Sequence, residues 1–264
     1  VYSNSTGIYD TGYTSLYNNV VYANSNIGIR VGSTHSVGNG LFNNTIYQAV
    51  GDAVKFESAT NVSVINNIIQ VGTGYALNVD SGSLATLLSD WNLFNPMTSG
   101  AHVALSGGAN RSTLAAWRAV SAGAAQDDLH SRSGNPGFLD IDGADNVLGD
   151  QSLNTGNGFD DNFGLDANSL AIDAGNAYEA PRLDIEGRTR HDDPTTANTG
   201  TGLDLFVATD TGASSFTNGG TAQNWRSSNS VYTLDLGFSF GFYGSSYTQV
   251  QVSTNGYLQF GTTG

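Results

Sequence analysis

The sequence predicts an all-β fold: a parallel β-solenoid, closed by a short helix and followed by part of an antiparallel β module. Three observations carry that prediction. A strand–amide–strand frame recurs as "SLYNNVVY" (15–22), "GLFNNTIY" (40–47), "SVINNIIQ" (63–70) and "SDWNLFN" (89–95), its second amide falling at Asn19, Asn44, Asn67 and Asn92, 25, 23 and 25 residues apart. Between these lies a second series, "GIYD" (7–10), "GIRV" (28–31), "AVKF" (53–56) and "ALNV" (76–79), whose centres Ile8, Ile29, Val54 and Leu77 are 21, 25 and 23 residues apart. The chain is also rich in turn formers, with 34 Gly among 264 residues and only 12% charged residues, a palette poor in the residues that build helices.

A period in the low twenties that holds two or three short strands matches one turn of a solenoid. No such coil can bury its apolar face alone. Stacked at about 4.8 Å, the coils share one continuous core. The asparagines then sit at the tight corner between strands, where a left-handed residue is needed. Stacked coil on coil, their amides can hydrogen-bond along the stack. The alternative, hairpin turns of an antiparallel sandwich, fits the regular spacing less well. Downstream, "STLAAWRAVSAG" (112–123) has Ser112 or Thr113 as N-cap, Leu114 and Trp117 on one face and Gly123 as a stop, the pattern of a short helix. Laid across the last coil, it would hide an open sheet edge. Residues 130–200 alternate turns with apolar triplets and read as irregular final coils and loops. From about Leu203 a third region begins, in which "VYTLDLGFSFGFYGSSYTQVQVSTNGYLQFG" (231–261) alternates over three strands, with an Asn-Gly hairpin signal. The domain reading is therefore 1–100 for the coils, 101–200 for the helix and closing segment, and 203–264 for an incomplete β module. Its open sheet invites completion by a neighbouring module or a neighbouring copy.

Nine Lys and Arg against 23 Asp and Glu give a formal charge of −14. That balance disfavours nucleic acid and anionic membrane surfaces as partners. Cysteine is absent, which removes disulfides and thiol chemistry, and no apolar run approaches the roughly 20 residues of a spanning helix. A first residue other than Met reads as a processed or excised piece.

The "NNxI" corners and "GI-x-V" strands resemble the right-handed parallel β-helix repeats of pectate-lyase-like proteins, over about residues 1–95. "NPGFLDIDGADNVLG" (135–149), "DDNFGLDANSLAIDAGNA" (160–177) and "RLDIEGRTRHDDP" (182–194) resemble the closing segment of large secreted bacterial β-helix proteins, with Leu170 where that pattern carries Pro. The last 50 or so residues resemble β-rich modules found beside enzymes and adhesive domains in such proteins. The resemblance implies an extracellular or cell-surface protein, and a site on an outward face of the coils.

Chemistry has two candidate places. In the second strand series the outward positions are Tyr9, Arg30, Lys55 and Asn78, with Lys55 the only lysine in the chain. An aromatic platform beside two cations suits an acidic polysaccharide, and a cation could serve as a proton-abstracting base. The plainer reading is a polar exposed row neutralised by nearby carboxylates. In "DIDGADN", Asp140, Asp142 and Asp145 share a Gly-containing loop, which suits Ca²⁺ or else a solvated acidic turn. A second acidic cluster, Asp184, Glu186, Asp192 and Asp193, faces Arg182, Arg188 and Arg190 and reads as structural. The histidines, His35, His102, His130 and His191, lack zinc-site spacing, and no nucleophile elbow occurs. The expectation is an extracellular structural or adhesive module contacting polysaccharide. The alternatives are a polysaccharide lyase or glycoside hydrolase, and a self-associating filament subunit.

Overall fold

The structure is a computed structural model that describes residues 1–120, 128–150, 157–190, 193, 195–201, 229–242, 245–255 and 257–260. Two compact units divide the chain, Val1–Thr209 and Asp210–Gly264.

The first unit is a parallel β-solenoid of about four turns, with three sheets along its length. Sheet I holds β1 (Thr6–Asp10), β4 (Ile27–Val31), β7 (Asp52–Phe56), β10 (Gly74–Val79) and β13 (Ala101–Ser106), closed by the antiparallel β14 (Ala109–Arg111). Sheet II holds β2 (Leu16–Tyr17), β5 (Gly40–Phe42), β8 (Ser63–Ile65) and β11 (Leu88–Asp90). Sheet III holds β3 (Val20–Tyr22), β6 (Thr45–Gln48), β9 (Ile68–Val71), β12 (Leu93–Pro96) and β15 (Arg132–Ser133). The core is the column these sheets enclose: Ile29, Val54 and Leu77 from sheet I, Leu41 and Val64 from sheet II, and Ile46, Ile69 and Phe94 from sheet III are all fully buried. The fifth strand of sheet I, β13, lies beyond the four repeats seen in the sequence. Its Ala104 pairs with Leu77, and the longer interval hides it from a search for periods of 21 to 25.

The two amides of each corner divide the work. The first residue of each pair adopts the left-handed conformation, with φ of 56° at Asn18, 56° at Asn43, 61° at Asn66 and 58° at Trp91. Asparagine tolerates that region because its short side chain bonds locally. The second amide points inward and forms a ladder. Asn19 donates from its backbone N (3.0 Å) and its Nδ2 (2.9 Å) to Asn44 Oδ1. Asn44 does the same to Asn67 Oδ1 (2.9 and 3.0 Å), and Asn67 to Asn92 Oδ1 (2.9 and 3.1 Å). Asn92 then donates its backbone N to Ser131 Oγ at 2.8 Å. Buried polar groups are tolerated when bonded, and Asn44, Asn67 and Asn92 are each about 1% exposed.

Ser131 belongs to the knot that closes this end of the solenoid. The helix α2 (Leu114–Arg118) starts at Thr113, whose side chain accepts from Ala116 N. It buries Leu114 and Trp117. Trp117 Nε1 donates to the buried Asp128 at 2.6 Å, and Ser131 Oγ donates to the same carboxylate at 2.5 Å. Gly123, the stop expected from sequence, lies outside the described residues.

A smaller helix, α1 (Ser81–Leu84), sits at the corner after β10 with Asp80 as its N-cap. Another corner buries His35 against Asp10: His35 Nε2 is 2.8 Å from Asp10 Oδ2, and its Nδ1 is 3.1 Å from Ser33 O, so both ring nitrogens face oxygens of the corner.

Beyond β15 no described strand joins the three parallel sheets. β16 (Phe138–Asp140) pairs antiparallel with β17 (Asn162–Leu165), and Phe163 of β17 packs on Tyr22 and Tyr47 along sheet III. The rest crosses the asparagine corners: Asn18 Nδ2 donates to Leu183 O, Asn43 Nδ2 to Glu179 O, and Asn66 Nδ2 to Asn176 O. The left-handed amides thus dock the closing segment while their neighbours hold the coils.

In the second unit, β18 (Val231–Phe242), β19 (Ser245–Ser253) and β20 (Leu258–Gln259) form an antiparallel sheet with β19 in the centre. Val250 is buried, and Phe260 stacks on Phe240, whereas Leu258 is 64% exposed.

Candidate functional site

The register of sheet I sets Tyr9, Arg30, Lys55 and Asn78 side by side on successive strands. Parallel pairing without shift makes four residues from four coils into one outward row. The Arg30 guanidinium lies 4.7 Å from the Tyr9 ring centroid, a cation–π contact. Glu57, at the end of β7, takes both cations: Arg30 Nε donates to it at 2.7 Å and Lys55 Nζ lies 3.0 Å away. Hydrogen bonds from Arg30 first, and Lys55 next, hold the Glu57 carboxyl below the usual range, and the same carboxylate raises Arg30. Asn78 Nδ2 donates to Asp52 Oδ2 at 2.7 Å, and Asp52 Oδ1 also accepts from Tyr75 N at 3.2 Å.

This row is a ladder whose two cations share Glu57, and it borders neither of the two clefts described next. A proton-abstracting base must reach its substrate proton unencumbered. Lys55 is instead engaged as an ion-pair partner.

The larger cleft, about 1280 Å³, lies on the opposite flank between the asparagine corners, sheet III and the closing segment. At one end Trp91 and His130 stack with ring centroids 4.1 Å apart and planes within 3°. Asp90 fixes His130, accepting from its backbone N at 2.9 Å and contacting Nδ1 at 2.6 Å. Arg188 pairs with Asp184 at 3.0 Å and also with Glu186, while Arg190 Nη2 donates to Asn18 Oδ1 at 2.7 Å. Asp192 of the second acidic cluster lies outside the described residues, and Asp193 accepts from Thr195. Sequence reasoning missed this cleft because it joins residues up to 172 positions apart. The one signal available was Trp91 in place of the corner asparagine. The smaller cleft, about 500 Å³, lies among Ser3, Asn24, Val50 and Leu148.

In the acidic loop the Asp145 carboxylate bonds its own turn. Asp145 Oδ1 accepts from Val147 N at 2.9 Å, Asp142 O accepts from the same N–H at 3.0 Å, and Asp160 Oδ2 accepts from Asp145 N at 3.2 Å. Asp140 lies on β16, apart from that turn. Among the described residues no group of three or more His, Cys, Asp or Glu side chains is placed to hold a metal ion. Among the described residues His35 is sealed in the core, and His102 meets the Ser112 hydroxyl at 3.0 Å and Asn110 Nδ2 at 3.2 Å, with no carboxylate bonded to its ring.

Comparison with known proteins places one stretch. A model of a family described as NIDO related matches residues 206–264, about a fifth of the chain. No match was found among curated proteins or among solved structures. No helix among the described residues is long and apolar enough to cross a membrane.

Proposed function

We propose that the chain is a structural and adhesive module of a secreted or cell-surface protein, a stiff solenoid spacer whose outward row contacts polysaccharide. The observation that carries this reading is the row itself, a ladder whose two cations, Arg30 and Lys55, share the single carboxylate of Glu57. Such a surface can stack a sugar ring on Tyr9 and hydrogen-bond hydroxyls, while its Lys55 and Arg30 are both paired with Glu57. The amide ladder supports the spacer role, since each coil is tied to the next by side-chain as well as backbone bonds. A pectate-lyase-like cleavage activity, the rival reading, requires a base that this row does not free.

The test is affinity electrophoresis through gels containing pectate, alginate or a neutral glucan, run beside an ultraviolet assay for unsaturated uronate. The reading expects retardation by a polymer, weakened by Tyr9→Ala, and no unsaturated product. Glu57→Gln should strengthen retention on the acidic polymers, because it releases Arg30 and Lys55. Product formation that is abolished by Lys55→Ala or Arg30→Ala would replace this reading with the lyase.

A further inference from the structure

The outward face of sheet III is largely apolar where the closing segment crosses it. Unshifted parallel pairing sets Val20, Thr45, Ile68, Leu93 and Arg132 side by side on β3, β6, β9, β12 and β15. Alternation along each strand turns Ile46, Ile69 and Phe94 into the core and this row away from it. At about 4.8 Å per strand the row runs roughly 19 Å from Val20 to Arg132. All five residues line the larger cleft as its floor, and Val20, Thr45 and Ile68 stay partly exposed there. Leu139 and Leu170 line the same cleft from the closing segment and are 59% and 43% exposed. Apolar surface is thus left uncovered on both walls.

The row ends in a charge. Arg132 is half-buried, and among the described residues its guanidinium has no hydrogen-bond or ion-pair partner. Arg188, by contrast, is held by Asp184 and Glu186, and Arg190 donates to Pro181 O and Asn18 Oδ1. Among the described residues, four of the chain's nine Lys and Arg line this cleft, against four of its 23 Asp and Glu. A strongly acidic chain therefore gathers its cations here. The Arg132 end is also the end left untied. Asn18, Asn43 and Asn66 bond the backbone of the closing segment, whereas at the fourth corner Trp91 makes no such bond among the described residues. Trp91 stacks on His130 instead, and both rings line the cleft two residues before Leu93 and Arg132.

We propose that this cleft binds an aliphatic carboxylate. The chain lies between the sheet III floor and Leu139 and Leu170, and the carboxylate sits on the Arg132 guanidinium. The lining selects that class. Isoleucine and leucine side chains reward only apolar area removed from water. An unpaired, half-buried guanidinium suits an anion that accepts two parallel N–H donors, as a carboxylate does. A sugar would set hydroxyls against Ile68, Leu139 and Leu170 with nothing to bond them. The Tyr9 row lies on a different sheet, so polymer contact there and ligand binding here fail separately.

The probe is decanoate, titrated calorimetrically into the whole chain below its micellar concentration, with amide shifts followed at residues 91–93 and 130–133. Saturable binding with shifts at those amides is expected. Hexanoate should bind at least roughly tenfold more weakly, because it buries fewer methylenes. Decanol lacks the charge and should also bind at least roughly tenfold more weakly. Arg132→Gln should bring decanoate down to the decanol level, and the decanol comparison on the parent chain keeps the test independent of that variant's folding. Equal binding of decanoate and decanol, absence of saturable binding, or shifts confined to other residues would each overturn the proposal. Galacturonate shifting these amides where decanoate does not would overturn it too, making the cleft a sugar site.

Discussion

Asn67→Ala cuts the amide ladder at a central, fully buried rung. The side chain accepts from Asn44 N and Nδ2 at 2.9 and 3.0 Å and donates to Leu41 O and Ile65 O at 2.9 and 3.1 Å. Truncation strips the buried Asn44 N–H of its acceptor and Leu41 O of its side-chain donor, while Ile65 O keeps Asn43 N at 3.1 Å. Asn44 Nδ2 keeps Leu16 O, and Asn92 Oδ1 keeps the Asn67 backbone N–H. Each buried polar group left without a partner costs about 1–3 kcal/mol, so the variant should lose about 3–5 kcal/mol. That is a large share of the roughly 5–15 kcal/mol typical of a folded protein. Asn19→Ala makes the contrast. Asn19 is half-buried, water can replace its bonds, and its loss should stay below about 1 kcal/mol. Asn67→Asp separates hydrogen bonding from shape. Its ionised carboxylate would face two carbonyls in the core, which raises its folded pKa above the unfolded value. The variant is therefore least impaired below the unfolded carboxylate pKa and loses stability as pH rises through the folded one. Guanidinium titrations followed by tryptophan fluorescence measure all three, with the slope checked for constancy. Equal losses for Asn67→Ala and Asn19→Ala, or an Asp variant indifferent to pH, would refute the reasoning.

Three further outcomes are expected. Burial first pushes the Asp128 carboxyl up to about 6 from 3.8, although Ser131 and Trp117 donate to it. The folded state thus holds its proton more tightly, so its contribution is fully present below pH 3.8 and is lost as pH rises through about 6. The loss is roughly 3 kcal/mol, and melts from pH 3 to 7 should show a shallower decline for Asp128→Asn than for the parent chain. Gly51→Ala should destabilise strongly on thermal melting, because Gly51 has φ of +84° and an added Cβ would lie 1.9 Å from Asn26 O; an unchanged midpoint would mean that the corner can shift. EDTA-treated and calcium-supplemented protein should melt together, since the Asp145 carboxylate bonds Val147 N within its own turn and Asp140 lies apart on β16. A calcium-dependent rise in midpoint would restore the cation reading through mass action.

The sequence by itself determined the solenoid, because stacking demands repetition: inward positions must be apolar and corners must carry residues that suit a tight bend, coil after coil. Asn19, Asn44, Asn67 and Asn92 announced both the period and the ladder, and the same period placed Tyr9, Arg30, Lys55 and Asn78 on one row. The Thr113 cap and the Leu114–Trp117 face likewise follow local rules that act within a few residues. What only the tertiary structure decided depends on partners far apart in the chain. Asn18 and Asn19 are identical in sequence, yet one takes the left-handed bend and holds Leu183 while the other turns inward to Asn44. Which charges neutralise the row was not legible either, since Glu57 reaches Arg30 only through the register of β4 against β7. The closing segment, expected as irregular final coils and loops, crosses the corners, and its Phe163 packs on Tyr22 and Tyr47 of sheet III. The stacked Trp91–His130 pair has the same origin: repetition in sequence records what each coil does for its neighbour, and a chain that doubles back along the stack makes contacts with no period to betray them.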